Sequence, residues 1–249
     1  MSELFSIQLQ NRQQQGRDGV WLDLPTTTEQ VQAALRQIGI SSDNPQGLFI
    51  SGYFAEEEKR FAIPYNMVLA SNVDELNFLA SRLETLSTGE RAELNAALQA
   101  PQSELFSIGR ITDFPENVDY YVHLPDVHGP AQLGDYYLNR SGMVDMPEEW
   151  KGGIDTAQFG RYVAQQEQGV FTEYGYLVKS GDVWQKVHEG QPVPEEYRVL
   201  SFPAPEVLRD SANIPPLVQP ETEPQKVIPI ILNGKDSVER MKEITDRLE

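Results

Sequence analysis

The sequence has no cysteine, no long apolar run and few basic residues, and each absence excludes a class of protein. Because none of its 249 residues is cysteine, the chain has no disulfide, no thiolate metal ligand and no cysteine nucleophile. No stretch approaches the roughly 18 apolar residues that a membrane span needs. The first residues lack the basic and apolar regions of a signal peptide. The sequence therefore predicts a cytoplasmic protein that does not enter a membrane.

Sequence motifs of catalysis are absent as well. The chain contains no Gly-x-Ser-x-Gly nucleophile motif, no phosphate-binding Gly-x-x-x-x-Gly-Lys and no dinucleotide fingerprint. His123, Asp126 and His128 offer two imidazoles and a carboxylate, a set that can bind zinc. A proline lies between them and their spacing is not that of a helix face, so a polar surface turn is the favoured interpretation. We predict no enzymatic activity, no metal and no cofactor.

Acidic residues are what the chain has in excess. Asp and Glu total 38 against 20 Lys and Arg, which gives a formal net charge of −18. Residues 101–202 hold 16 acidic and 7 basic residues, a net charge of −9, just beyond the ~2–8 charges of an ordinary small domain. Such a chain is repelled by nucleic acid and by anionic membranes. Residues 1–202 are therefore predicted to bind cations or basic protein surfaces and not nucleic acid, with plain solubility as the alternative.

Apolar periodicity predicts an α+β fold of three small modules, which the family resemblance given below implies to be an elongated chain. The predicted modules are an α+β unit over residues 1–69, a mainly helical unit over 70–130 and a second α+β unit over 131–202. Helix starts are predicted from capping signatures at Thr26, Asn72, Ser87 and Asp155. Strands are predicted at Leu4–Leu9, Gly47–Phe54, Phe61–Ile63, Val170–Thr172, Tyr176–Val178 and Val183–Gln185. The three tryptophans, Trp21, Trp150 and Trp184, are predicted to anchor cores.

The amino-acid composition changes after residue 202. Seven prolines from Pro203 to Pro229 predict an extended, protease-sensitive linker over about 203–228 within the final segment, 203–249. The spacing of apolar residues after Asp236 predicts a terminal helix. The chain stops at Glu249 within that helical pattern, which indicates a piece of a longer polypeptide.

Several segments, taken in order, resemble the ArdA antirestriction family over roughly residues 1–180. They are Gly-Val-Trp-Leu-Asp-Leu-Pro at 19–25, Asn-Val-Asp-Glu-Leu-Asn at 72–77, Leu-Gly-Asp-Tyr-Tyr at 133–137 and Gly-Met-Val-Asp-Met-Pro-Glu-Glu-Trp at 142–150. Residues 142–155 coincide with the stretch called the family's antirestriction motif. Asp145, Pro147, Glu148 and Asp155 keep its pattern, while Lys151-Gly152-Gly153 stands where the family usually has bulkier apolar residues. Residues 237–249 are similar to the start of an ArdC-type domain.

The resemblance implies an acidic homodimer that imitates DNA and occupies the DNA-binding groove of type I restriction–modification enzymes. The candidate carboxylates of this anionic face are Asp113, Glu116, Asp119, Asp126, Asp135, Asp145, Glu148, Glu149 and Asp155. Two alternatives remain open. One is an acidic interaction module of a larger mobile-element protein, and the other is a metal-dependent enzyme that uses His123, Asp126 and His128.

Overall fold

The computed structural model of the protein describes residues 4–14, 18–56, 60–101 and 103–204. Helices and two small antiparallel sheets share these ranges, so the predicted α+β class is confirmed. The strands are β1 (Phe5–Asn11), β2 (Val20–Leu24), β3 (Leu48–Phe54), β4 (Tyr121–Leu124), β5 (Val170–Thr172) and β6 (Gly175–Lys179). The helices are α1 (Thr28–Gln37), α2 (Tyr65–Leu69), α3 (Val73–Glu84), α4 (Thr88–Gln99), α5 (Ile108–Thr112), α6 (Pro130–Asp135), α7 (Glu148–Lys151) and α8 (Thr156–Glu167).

The first sheet has the strand order β2-β1-β3, with β1 antiparallel to both neighbours. Alternate residues of β1 point to opposite faces, and Phe5, Ile7 and Leu9 are buried on one of them. Val31 and Leu35 of α1 are also fully buried in this core. The alternation of β1 and the helical spacing of α1 are the two patterns that predicted this unit.

Helix N-termini follow the predicted capping chemistry with one shift of register. Asn72 and Ser87 cap α3 and α4 through full capping boxes with Glu75 and Glu90, as predicted. At α1 the prediction of Thr26 was wrong by one residue, because the capping box is formed by Thr27 and Gln30. The backbone N–H of Thr26, which is itself buried, instead donates to the side chain of Asn77 at 2.7 Å.

The second sheet has the order β4-β6-β5 and is also antiparallel. Its edge strand β4 comes before residue 130, whereas β5 and β6 come from the last predicted module. Between β4 and β5 the chain forms α6, which continues directly into a π-helical turn at Tyr136–Arg140, and then α7 and α8. The division into three modules stays a prediction.

After β6, residues 180–203 form a strap that contains no strand and one 3-10 turn at Glu195–Tyr197. The end of the strap bonds to Gln32 of α1 and to Ser42. The prediction of a strand at Val183–Gln185 was wrong, because the strap bonds mostly to side chains and not to a neighbouring strand. The prediction of a strand at Phe61–Ile63 was also wrong. Phe61 is buried, and the adjacent backbone N–H of Ala62 donates to the side chain of Asn95.

Buried apolar side chains form one large cluster and one small one. The large cluster contains the first sheet, α1, α3 and α4 and includes Trp184, while the small one consists of Val127, Leu133 and Tyr176. Trp184 is thus a core residue as predicted, but Trp21 and Trp150 are 50% and 68% exposed, which corrects their predicted role as anchors. No helix in the described ranges combines the length and hydropathy needed to cross a bilayer. The tail predictions beyond residue 204 lie outside the described residues.

Candidate protein-interaction surface

Asp113 does not belong to an exposed acidic surface. It follows α5 and is completely buried. Its two carboxylate oxygens accept hydrogen bonds from the backbone N–H groups of His188 (2.6 Å) and Glu189 (3.2 Å) in the strap. The prediction that Asp113 meets a partner is therefore corrected: this carboxylate holds the strap, and its oxygens are turned away from solvent.

Four of the candidate carboxylates are exposed and form no ion pair with any base in the described ranges. Asp119 lies in the middle of a 3-10 turn before β4, and Asp126 lies in the turn after β4. Asp145 and Glu149 lie between the π-helical turn and the end of α7. Because no internal cation neutralises them, these four side chains are free to accept Lys or Arg from a partner.

The remaining candidates already have internal partners. Glu116 forms an ion pair with Arg82, and Asp135 pairs with Arg140 at 3.1 Å. Glu148 pairs with Lys151 at 2.6 Å, although the Glu148 side chain is still 81% exposed. Asp155 caps α8 by accepting the backbone N–H of Gln158 at 3.0 Å. These four carboxylates add negative charge to the surface. Three of them are partly neutralised by an internal base, and the fourth, Asp155, already accepts a backbone hydrogen bond.

Most basic side chains of the described ranges are committed to internal contacts. Arg110 has the densest set: it lies between Glu104 (2.7 Å) and Glu189 (3.0 Å) and is itself buried. A hydrogen bond from Lys179, together with the charge of Arg110, lowers the pKa of Glu104. Other pairs and backbone contacts engage Arg82, Arg91, Arg140, Lys151, Lys186 and Arg198. The bases therefore stabilise the fold, and the surplus of carboxylates faces outward.

Two glycines allow α6 and α8 to cross with their backbones in contact. A Cβ on Gly134 would lie 1.9 Å from the carbonyl oxygen of Thr156, and one on Gly160 would lie 1.8 Å from that of Pro130. Any side chain at either position would separate the helices. The crossing therefore fixes both ends of residues 141–155, which we call the acidic segment.

The acidic segment presents apolar as well as charged side chains to solvent. Met143 is 74% exposed and Trp150 is 68% exposed. The segment leaves the π-helical turn through Gly142, whose φ of +70° favours glycine. A Cβ added at Gly152 would meet nothing within 4 Å, so close packing does not require glycine at this position.

Glu93 on α4 is an acidic side chain with an unusual environment. Burial raises its pKa to about 8, and the neighbouring carboxylates of Glu90 and Asp119 act in the same direction. Its Oε1 atom is buried and has no hydrogen-bond partner in the described ranges. Glu93 therefore holds a proton at neutral pH, which reduces the repulsion within this group of three acids.

The histidine hypothesis fails on geometry. A ring nitrogen of His123, Nε2, lies 2.7 Å from the backbone carbonyl of Tyr174. Asp126 and His128 are exposed in the turn that follows. These three residues do not converge into a group that would hold a metal ion, and no other such group occurs in the described part of the chain. The absence of a metal stays a prediction.

The fold and its surface define an acidic α+β protein, in which four exposed candidate carboxylates form no ion pair with a base of the described ranges. Residues 15–178 match the sequence model of a family described as "Antirestriction protein (ArdA)". This match covers well over half of the chain, so the protein belongs to the ArdA antirestriction family, and the resemblance inferred from its motifs is confirmed.

Membership of this family implies that the protein interacts with restriction enzymes through protein–protein contacts. The family is defined by antirestriction and not by catalysis. The match ends at residue 178, so the similarity of residues 237–249 to an ArdC-type domain receives no support. A search of curated proteins found no match.

Sequence reasoning missed the buried polar side chains that hold extended segments. The side-chain amide of Asn77 accepts the N–H of Thr26 and donates to the carbonyl of Tyr197 at 3.0 Å. Asp74 accepts the N–H groups of Val199 and Leu200, both at 2.7 Å. One signal was available: Asn77 interrupts the buried apolar stripe of α3, and a polar residue at such a position needs a partner.

Proposed function

We propose that the protein imitates DNA and occupies the DNA-binding groove of type I restriction–modification enzymes. The observation that carries this proposal is the set of exposed carboxylates without cationic partners, Asp119, Asp126, Asp145 and Glu149. Family membership supports a restriction enzyme as the target in general, and the type I class is part of the proposal. The proposed action is binding and needs no cofactor and no catalytic step.

The amount of charge is sufficient for such an imitation. B-DNA carries one charge per ~1.7 Å of helix axis, so a net charge of −18 corresponds to at most ~31 Å of duplex. As a homodimer, the state that we propose, the protein would match at most ~61 Å. A DNA-binding groove several tens of ångströms long is therefore within reach of the charge on two chains.

Affinity in this mechanism comes from the sum of many weak contacts. An exposed ion pair contributes only ~0–1 kcal/mol, so no single carboxylate is expected to dominate. The Lys and Arg residues of a DNA groove release or exchange counterions when they meet a polyanion, and this term weakens as salt concentration rises. The same chemistry explains why the acidic face would avoid nucleic acid itself while competing with it.

The experiment compares two sets of four neutralising substitutions at equal change in net charge. The test variant carries Asp119→Asn, Asp126→Asn, Asp145→Asn and Glu149→Gln. The matched control carries Asp18→Asn, Asp43→Asn, Glu195→Gln and Glu196→Gln, which are also exposed. Each is titrated against a type I methyltransferase bound to labelled duplex DNA, and DNA displacement is measured.

Mimicry by the named surface requires that the test variant loses competition by at least about tenfold, the sum of four contacts of ~0.3–0.5 kcal/mol. The control variant should lose clearly less. Equal loss in both variants would show that only net charge matters. Undiminished competition by the test variant would contradict the proposal and favour an acidic interaction module that docks elsewhere.

A further inference from the structure

Glu167 is the last residue of α8, the helix that begins where the acidic segment ends. Its side chain connects α8 to the π-helical turn, from which the acidic segment starts. The hydroxyl of Tyr137, in the π-helical turn, donates to one oxygen of the Glu167 carboxylate. The hydroxyl of Tyr176, on β6, donates to the other at 3.0 Å. One carboxylate thus connects the π-helical turn, α8 and the second sheet.

The backbone around Glu167 leaves room for this contact. Gln168 adopts a left-handed conformation with φ of 55°, so the chain turns away immediately after α8. A Cβ on Gly169 would lie 1.9 Å from the Tyr176 hydroxyl. Glycine at 169 is therefore required for the fully buried Tyr176 to reach the carboxylate.

Hydrogen bonds in the π-helical turn link Tyr137 to the start of the acidic segment. Ser141 donates its backbone N–H to the carbonyl of Tyr136, and its hydroxyl to the carbonyl of Tyr137, both at 2.9 Å. The Ser141 hydroxyl also accepts the N–H of Met143 at 3.1 Å. Single π-helical turns are rare and frequently occur at functional sites, and here the turn sets the direction in which the segment departs.

The apolar core of this region is small compared with that around the first sheet. Its buried cluster consists of Val127, Leu133 and Tyr176, with partly buried side chains packed against it, and Leu138 of the π-helical turn is buried as well. Hydrogen bonds to a charged acceptor are stronger than neutral ones. Burial, and then the adjacent Glu167, raise the pKa of Tyr137 and of Tyr176, so both hydroxyls stay protonated as donors.

We propose that Glu167, held by Tyr137 and Tyr176, is a positioning residue that fixes the acidic segment in the conformation that meets the restriction enzyme. This inference rests on the proposed function. Glu167 itself is half-buried and acts through the elements that it joins, so it need not touch the partner.

The first measurement is hydrogen exchange of the backbone amides, made on the full chain. Tyr137→Phe removes one hydroxyl and keeps the ring, and it should speed exchange in residues 142–155 by about tenfold, the effect of one lost hydrogen bond to a carboxylate. Exchange in β1 and α1 should stay unchanged. Tyr162→Phe, at an exposed tyrosine of α8, is the matched control and should change neither region.

The second measurement is displacement of DNA from a type I methyltransferase. Glu167→Ala should need about five- to tenfold more protein for half displacement, and Glu167→Gln, which keeps one acceptor, should recover most of that loss. Asn11→Ala serves as a destabilised variant far along the sequence, because Asn11 holds the end of α1 through the carbonyls of Ile38 and Gly39. It should leave displacement unchanged while the chain is folded.

The possible failures are distinguishable. If the parent chain does not displace DNA, the proposed function fails, and the exchange data alone decide whether Glu167 fixes the segment. If the parent displaces DNA but Tyr137→Phe and Glu167→Ala leave exchange in residues 142–155 unchanged, the positioning role is wrong. An equal loss of displacement in Asn11→Ala would likewise overturn it, since general stability would then explain the effect.

Discussion

The strap and the acidic segment are both polar stretches, yet their surroundings use carboxylates in opposite ways. The strap is held by acids turned inward: the buried Asp113 and the half-buried Asp74 each accept two of its backbone N–H groups. In the acidic segment, Asp145 and Glu149 are exposed and meet no base of the described ranges. The two regions contain the same residue type with its oxygens turned inward in one case and outward in the other.

This difference separates stability from recognition. Leaving a buried donor unsatisfied costs about 1–3 kcal/mol, so the acids that hold the strap contribute to folding. An exposed ion pair is worth only ~0–1 kcal/mol, so the acids of the segment contribute little to folding and remain available to a partner. A residue's solvent exposure and existing donors, and not its charge alone, indicate which role it has.

The largest effect is expected where the acidic segment is anchored. Gly160→Val would place a side chain against the Pro130 carbonyl, 1.8 Å from the ideal Cβ position, and should destabilise the α6–α8 crossing by about 4 kcal/mol or more. Chemical unfolding and hydrogen exchange would measure it. The matched control is Gly152→Ala, at a helical φ of −64° with open space around it, which should stabilise by about 0.4–1 kcal/mol. Equal free energies of unfolding for the two variants would refute the close crossing of α6 and α8.

The next effect concerns the strap. Asp113→Ala leaves the N–H groups of His188 and Glu189 buried without an acceptor, which should cost about 3 kcal/mol in urea unfolding. Asp126→Ala, the same substitution at an exposed aspartate, should change stability by no more than about 0.5 kcal/mol. If Asp113→Ala lowered the free energy of unfolding as little as Asp126→Ala, Asp113 would again count among the exposed candidate carboxylates.

A pH dependence is expected at Glu93. Its pKa in the folded chain is raised to about 8 from an ordinary 4.5, so between these values the folded state holds a proton that the unfolded state has lost. Stability should therefore fall as pH rises from about 4.5 towards 8, by at most about 1.4 kcal/mol per unit and less because the group is partly exposed. Glu93→Gln should flatten this slope and be more stable than the parent at pH 8. Asp43→Asn is the control for the change in charge, and an unchanged slope in Glu93→Gln would contradict the assignment.

The smallest effect on stability is expected within the acidic segment itself. The double variant Asp145→Asn, Glu149→Gln should unfold within about 0.5 kcal/mol of the parent. Its displacement of DNA should nevertheless weaken by about two- to fivefold, as two lost surface contacts predict. A large loss of stability without a change in displacement would show that these acids belong with those that hold the strap.

Periodicity in the sequence predicted the elements that bury apolar residues. The alternation from Leu4 to Leu9 gave β1, and the capping boxes at Asn72 and Ser87 gave α3 and α4. These patterns succeed because burial of a strand face or helix face imposes a regular spacing. The one-residue error at Thr26 arose because two adjacent threonines offer similar caps and a distant contact with Asn77 decides between them.

The strap and the candidate site could be predicted only in part. Val183–Gln185 has the composition of a strand, but Asn117 bonds the backbone of Gln185 and takes the place of a neighbouring strand. Trp150 is apolar and large but exposed, because the short helix α7 buries no residue. For Asp113 nothing local separates a buried acid from an exposed one, since its donors come from residues 75 and 76 positions later.

The central claim, mimicry of DNA, is tested most directly by competition at several salt concentrations. Labelled duplex DNA bound to a type I methyltransferase is titrated with the parent protein, and the enzyme-bound DNA is followed by fluorescence anisotropy. Mimicry of DNA predicts complete displacement with no ternary complex, and a protein affinity whose logarithm falls linearly with the logarithm of salt concentration. A stable complex of enzyme, DNA and protein together, or a protein affinity indifferent to salt, would contradict it.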